Sequence, residues 1–126
     1  MHLIEKALKI ALNVHVGQKD KGNQPYILHP LRLMKKMDSD ITKAAALLHD
    51  VLEDSDMDVA DLANQGIDAD IIEIVKLLTK NTHESYETYI DRISTNSIAT
   101  KIKIADLEDN MNILRLDSID QKILVV

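Results

Sequence analysis

Residues 41–54 read ITKAAALLHDVLED, and this stretch decides the fold. From Ala44 to Leu52 it is apolar on nearly every side, which suits a central helix covered by neighbours all round. His49 and Asp50 sit inside that run, with Glu53 one helical turn beyond the first and Asp54 one turn beyond the second. Burying such groups without partners costs roughly several kcal/mol each, a cost that a bound divalent cation removes. Glu53 and Asp54 alone would suit a solvated helix end. His49 and Asp50 would not.

Working outward, Asp38, Ser39 and Asp40 offer caps for this helix, and Asp40 is the preferred one. Upstream, Ile4, Ala7, Leu8, Ala11, Leu12 and His15 recur at three- and four-residue spacing, the stripe of an amphipathic helix ending near Gly17. Residues 18–24, QKDKGNQ, are polar and stop at Pro25, so a surface loop is expected. Pro25 and Pro30 bracket Tyr26, Ile27, Leu28 and His29, which puts His29 at a helix entrance with Pro30 in the first turn of a helix running to about Met37.

Downstream, helices are expected from about Val59 to Gln65, from Ala69 to Lys80 after the cap candidate Asp68, from Tyr86 to Thr95 after Ser85, and from Ser97 onward. In the last of these, Ile98, Ile102, Ala105 and Asp106 share one stripe, so Asp106 interrupts a core face. Asn110, four residues on, flanks whatever Asp106 holds. Glu108 and Asp109 read as an ordinary solvated acidic patch. Met34, Met37, Met57 and Met111 read as core filler, Tyr86 and Tyr89 as a packed face, and His2 and His83 as surface residues. The apolar end KILVV suggests packing on the core or on a partner.

The chain of 126 residues has room for one core, and the expectation is a single domain over residues 1–126. Hydrophobic residues make up 45% and charged residues 29%, the balance of a globular chain rather than a disordered one. With three Gly and two Pro to punctuate strands, no alternating strand pattern and no internal repeat, the fold class is all-α, a compact helical bundle.

A net charge of −6 argues against a duplex nucleic-acid partner. No cysteine is present, so a thiolate nucleophile and a thiolate zinc site are both excluded. The amphipathic start lacks a cleavage-site pattern and no apolar run reaches membrane-spanning length, so a cytoplasmic protein without membrane attachment is expected. P-loop, GxGxxG, GxSxG and HExxH patterns are missing.

His29, His49, Asp50 and Asp106 therefore form a two-histidine, two-carboxylate set from three helices. That set suits a divalent metal with positions left for water and phosphate oxygens. Mn²⁺ or Fe²⁺ fits the mixed ligands, with Zn²⁺ and Ni²⁺ left open.

The segments HVGQKDKGNQPYILHP (15–30), AALLHDVLEDSD (45–56), LLTK (77–80) and IKIADLEDNM (102–111) occur in an order that resembles the HD-domain hydrolases of the RelA/SpoT type, over residues 1 to about 115. The resemblance implies an HD-domain bundle, metal ligation by His29, His49, Asp50 and Asp106, most often of Mn²⁺, and Glu53 and Asp54 as the catalytic acidic pair. It implies removal of the 3′-pyrophosphate from (p)ppGpp, with Lys19, Lys21 and Asn110 contacting phosphate or ribose. Two departures fall on the substrate side. Asp20 stands where those hydrolases usually carry a basic residue, and ADLEDN (105–110) stands for the usual ADRLHN. These departures favour weighing another nucleotide or a phosphate monoester as substrate. A non-catalytic metal- or nucleotide-binding module is the reading of a different class, and a second subunit completing the pocket stays open.

Overall fold

The structure, a computed structural model, describes the backbone of residues 1–125 and the side chains of residues 1–114. Seven helices occur among the described residues: α1 (Leu3–His15), α2 (Leu28–Lys35), α3 (Asp40–Leu48), α4 (Val59–Asn64), α5 (Ala69–Leu78), α6 (Tyr86–Ser94) and α7 (Ser97–Val125). No strand is formed there, and a lone bridge pairs Lys19 with Pro25. No described helix is long and apolar enough to cross a membrane. The expectation for KILVV (122–126) concerns side chains outside those described.

The central helix is α3, which packs against α1, α2, α5 and α7. Ala44, Ala45, Ala46, Leu47 and Leu48 are fully buried, and the three alanines let neighbouring helices approach closely. Its cap differs from expectation. Ser39, in extended backbone, accepts the Thr42 N–H on Oγ at 3.2 Å, while Thr42 Oγ1 receives the Ser39 N–H at 3.2 Å. Asp40 instead occupies the first helical position, where its charge faces the positive end of the helix dipole.

The helix also ends earlier than its periodicity suggests, so His49 and Asp50 are not inside it. His49 is the C-cap, and its Nδ1 donates to the Ala46 carbonyl at 2.7 Å. A continuing α-helix would offer that oxygen to the N–H of residue 50. Residues 49–53 run on as turns, with Val51 N–H on Leu48 O at 3.0 Å and Asp54 N–H on Asp50 O at 3.0 Å. The His-Asp pair thus sits where the chain leaves the core.

Other departures are local. In α1 the buried face is Ala7, Ile10, Ala11 and His15, whereas Leu12 is exposed. Helix α5 stops at Leu78 rather than Lys80, because Thr79 turns extended and its Oγ1 donates back to Val75 O at 2.7 Å. Met34, Met37 and Met57 pack on the core, but Met111 is exposed on α7. Tyr89 is buried while Tyr86 is exposed, their ring centroids 6.0 Å apart.

Candidate metal centre

Three segments converge at one end of α3. His29 comes from the second position of α2, one residue further into the helix than an entrance, with Pro30 next in the first turn. His49 and Asp50 come from the turn after α3, and Asp106 from the buried stripe of α7 that includes Ile102 and Ala105. One ligand atom from each of His29, His49, Asp50 and Asp106 can be chosen so that all four lie within 4.8 Å of one another.

The fine geometry orients both imidazoles. His29 Nε2 lies 2.8 Å from Asp106 Oδ1, while its Nδ1 lies 2.6 Å from Asp109 Oδ2. His49 spends Nδ1 on the Ala46 carbonyl, which leaves Nε2 facing Asp50 Oδ2 at 2.8 Å and Asp106 Oδ1 at 3.3 Å. Despite that proximity, His49 Nε2 is buried without an aligned hydrogen-bond partner. A buried imidazole nitrogen turned toward two carboxylates, with its other nitrogen fixed by a carbonyl, fits a divalent cation of mixed oxygen and nitrogen preference.

The charges show the same strain without a cation. Burial works to lower the His49 pKa, but Asp50 and Asp106 outweigh it and push the group up to about 10. Burial raises the Asp106 carboxyl, yet the hydrogen bond with His29 and the nearby charges of His49 and Lys103 hold it well below the carboxylate range. Lys103, one turn before Asp106, donates to its Oδ2 at 3.1 Å, and Asn110 Nδ2 donates to its Oδ1 at 3.3 Å. Tyr26 donates its hydroxyl to Asp50 Oδ2. Burial, then the charge of Asp50, pushes the phenol pKa far up, so it stays a donor.

Glu53 and Asp54 lie at the exposed rim and point to different elements. Glu53 Oε1 accepts the Lys80 N–H at 2.6 Å, a donor that exists because α5 ended early, and burial pushes this carboxyl up. Asp54 Oδ2 accepts from Gln18 Nε2 at 3.2 Å, and Gln18 Oε1 in turn meets His15 Nδ1 at 2.9 Å.

Lys19, Lys21 and Asn110 line one cleft of about 340 Å³ together with Asp20, Tyr26, Ile113 and Leu114. Two of its walls, Tyr26 and Asn110, touch the Asp50 and Asp106 carboxylates directly, so the cleft opens beside the cluster. Asp20 is not a free recognition group. Its Oδ1 accepts the N–H of Gly22 at 2.8 Å and of Gln24 at 3.0 Å, closing the loop as an Asx turn.

Sequence reasoning missed several residues around this cluster. Asp109 is buried, not solvated, and Arg32 clamps it with two bonds of 2.8 and 2.9 Å. Its companion Glu108 is exposed, as expected. Three-residue spacing could have found the others. Arg32 is three after His29, Lys103 three before Asp106, and Asp109 three after it.

No protein-family model matches the chain. It is 36% identical over 81 residues, 61% of its length, to the guanosine-3′,5′-bis(diphosphate) 3′-pyrophosphohydrolase of Borreliella burgdorferi. To the protein of the same name from Aquifex aeolicus it is 32% identical over 88% of its length. A solved structure described as a metazoan ortholog of SpoT that hydrolyzes ppGpp matches with a TM-score of 0.78 and 27% identity, over 92% of this chain and 72% of that one. The chain is an HD-domain region similar to the (p)ppGpp hydrolase domain of RelA/SpoT-type proteins. This HD region spans 12% of the Borreliella relative and 18% of the Aquifex one. Its seven described helices agree with the all-α bundle of the solved neighbour.

Proposed function

We propose that this HD region is a metal-dependent phosphohydrolase that removes the 3′-pyrophosphate of (p)ppGpp. The observation that supports it most is the His29, His49, Asp50 and Asp106 cluster, four ligand atoms within 4.8 Å, beside a cleft bearing Lys19, Lys21 and Asn110. The names of the relatives and the ppGpp hydrolysis ascribed to the solved neighbour point the same way.

Those four residues would hold the ion, with Mn²⁺ first and Fe²⁺, Zn²⁺ and Ni²⁺ as alternatives. Once bound, a divalent cation lowers the pKa of a water and neutralises phosphoryl charge. The remaining work belongs to the chain. Tyr26 and Asn110 donate to Asp50 and Asp106 and so fix the carboxylates that face the cleft. Lys19 and Lys21 draw the pyrophosphate into that cleft by charge, and Asn110 meets phosphate or ribose. As a water oxygen attacks phosphorus, the phosphorus bond to the ribose 3′ oxygen breaks. Glu53 and Asp54 at the rim take the water proton and return one to the departing oxygen. Burial pushes the Glu53 carboxyl up from its ordinary value, the direction that favours holding a proton.

A second reading keeps the chemistry and changes the substrate to another nucleotide or a phosphate monoester. It is favoured by Asp20, whose carboxylate is engaged with loop backbone where the resembled family usually carries a basic residue. One assay separates the two. Protein stripped of metal and reloaded with Mn²⁺ is offered ppGpp beside NADPH and simple nucleotides, with pyrophosphate and orthophosphate followed separately. Pyrophosphate from ppGpp is the expected result. Orthophosphate from another compound assigns the second reading, and binding without turnover assigns a non-catalytic module.

A further inference from the structure

Helices α2 and α7 are joined by a two-rung ladder. His29 and Arg32 stand three residues apart on α2, Asp106 and Asp109 three apart on α7, and each pair shares one helix face. One rung is His29 Nε2 with Asp106 Oδ1 at 2.8 Å. The other is double, because Asp109 takes His29 Nδ1 on Oδ2 at 2.6 Å and Arg32 on both oxygens at 2.8 and 2.9 Å. Asp109 itself is only 4% exposed.

We propose that Asp109, held in place by Arg32, is the positioning residue that aims His29 at a divalent cation. The proposal rests on the metal reading above and deepens it. A carboxylate only accepts hydrogen bonds, so His29 Nδ1 donates to Asp109, while Nε2, which meets Asp106 here, is the nitrogen turned to the cluster and the one that would give up its proton to hold a cation. A carboxylate behind a ligating imidazole fixes its tautomer and rotation and raises its basicity. Arg32 matters because a lone buried carboxylate would be free to turn. The planar guanidinium engages both oxygens and fixes the plane that His29 meets.

This position is also where the chain leaves the resembled pattern, with Asp109 standing for the histidine of ADRLHN. A histidine can present a donor or an acceptor to His29, whereas Asp109 leaves a single arrangement. The departure therefore falls behind the metal ligand as well as on the substrate side.

The test is Mn²⁺ affinity, measured by titration calorimetry on the stripped full chain well below its melting temperature. The variants are Asp109→Ala, Asp109→Asn and Arg32→Ala, with thermal melting of each metal-free protein recorded alongside. Asp109→Ala should bind Mn²⁺ about 10- to 100-fold more weakly than the parent, the range for losing such a partner. Asp109→Asn keeps an acceptor oxygen and should recover part of that loss, and Arg32→Ala should lose less than Asp109→Ala. A purely structural ladder would lower melting temperatures and leave the Mn²⁺ dissociation constant unchanged, which overturns the positioning role alone. If Asp109→Ala does not fold, Asp109→Asn decides: a severalfold weaker constant supports the role and an equal one overturns it. A parent protein that binds no Mn²⁺ overturns this role together with the reading beneath it.

Discussion

His29 Nε2 and Asp106 Oδ1 meet at 2.8 Å across 77 residues of chain, so an α2 side chain and an α7 side chain close the centre together. Asp106 also faces His49 at 3.3 Å and receives Lys103 and Asn110. Replacing it removes a carboxylate that lies within 3.3 Å of both histidines. Asp106→Ala should therefore lose Mn²⁺ retention and phosphohydrolase activity by at least about 100-fold, beyond the effect of a residue behind a ligand. Equilibrium dialysis with Mn²⁺ and the pyrophosphate assay check it; a fully active variant would refute the centre as drawn.

Metal loading should stabilise the fold, because the ligands come from α2, the turn after α3, and α7, and assemble only when these pack. Mn²⁺ at a hundred times its dissociation constant adds about 2.7 kcal/mol by mass action. For a chain of this size that corresponds to a melting temperature higher by roughly 10 °C. Calorimetric scans of stripped protein with and without Mn²⁺, and with Ca²⁺ as a hard-cation control, would show it. An unmoved transition would mean that the cluster binds nothing before unfolding.

The helices and the four residues of the cluster were legible because their signals are local. The apolar run 44–52 marks a covered helix, and His49, Asp50 and Asp106 stand out as ionisable groups on otherwise apolar faces. What sequence hid were contacts made across elements. Asp109 looks like one more acid beside Glu108 until α2 delivers His29 and Arg32 to it. Likewise the early end of α3 depends on His49 Nδ1 taking the Ala46 carbonyl, which no periodicity encodes. The Ser39 cap over Asp40 turned on the extended backbone at residue 39.

Asp20 offers a test of whether the loop is built or merely tolerated. Its Oδ1 holds two backbone N–H groups, while the Asp20 N–H donates to Gln24 O at 2.9 Å. Asp20→Ala should cost about 1–2 kcal/mol, with Asn recovering most of it, since an amide oxygen accepts the same bonds. The same alanine should raise KM more than it lowers kcat, because the loop carries Lys19 and Lys21 into the cleft. Urea unfolding and steady-state kinetics together check this, and an Asp20→Ala protein with unchanged stability and KM would show that the turn forms without its carboxylate.

A pH dependence separate from the metal centre is expected from Glu84 and Arg92. Arg92 Nε donates to Glu84 Oε2 at 2.5 Å and its Nη2 to Oε1 at 2.7 Å, while the same Nη2 also reaches Thr79 O at 3.1 Å. Chiefly through the Arg92 hydrogen bond, the Glu84 carboxyl is held below its ordinary value of 4.5. A depressed carboxyl contributes stability above its unfolded pKa and loses it as pH falls through the folded one. Wild type should therefore exceed Glu84→Gln in urea midpoint at pH 7 and pH 5, with the gap shrinking below about pH 4.5 as the carboxyl protonates. Through Arg92 the pair ties the last turn of α6 to the segment before that helix and to the end of α5, so hydrogen exchange near Thr79 should rise in the variant alone at neutral pH and in both proteins in acid. A gap in urea midpoint that stayed constant from pH 7 to pH 3 would show that the glutamate acts by packing, not by its charge.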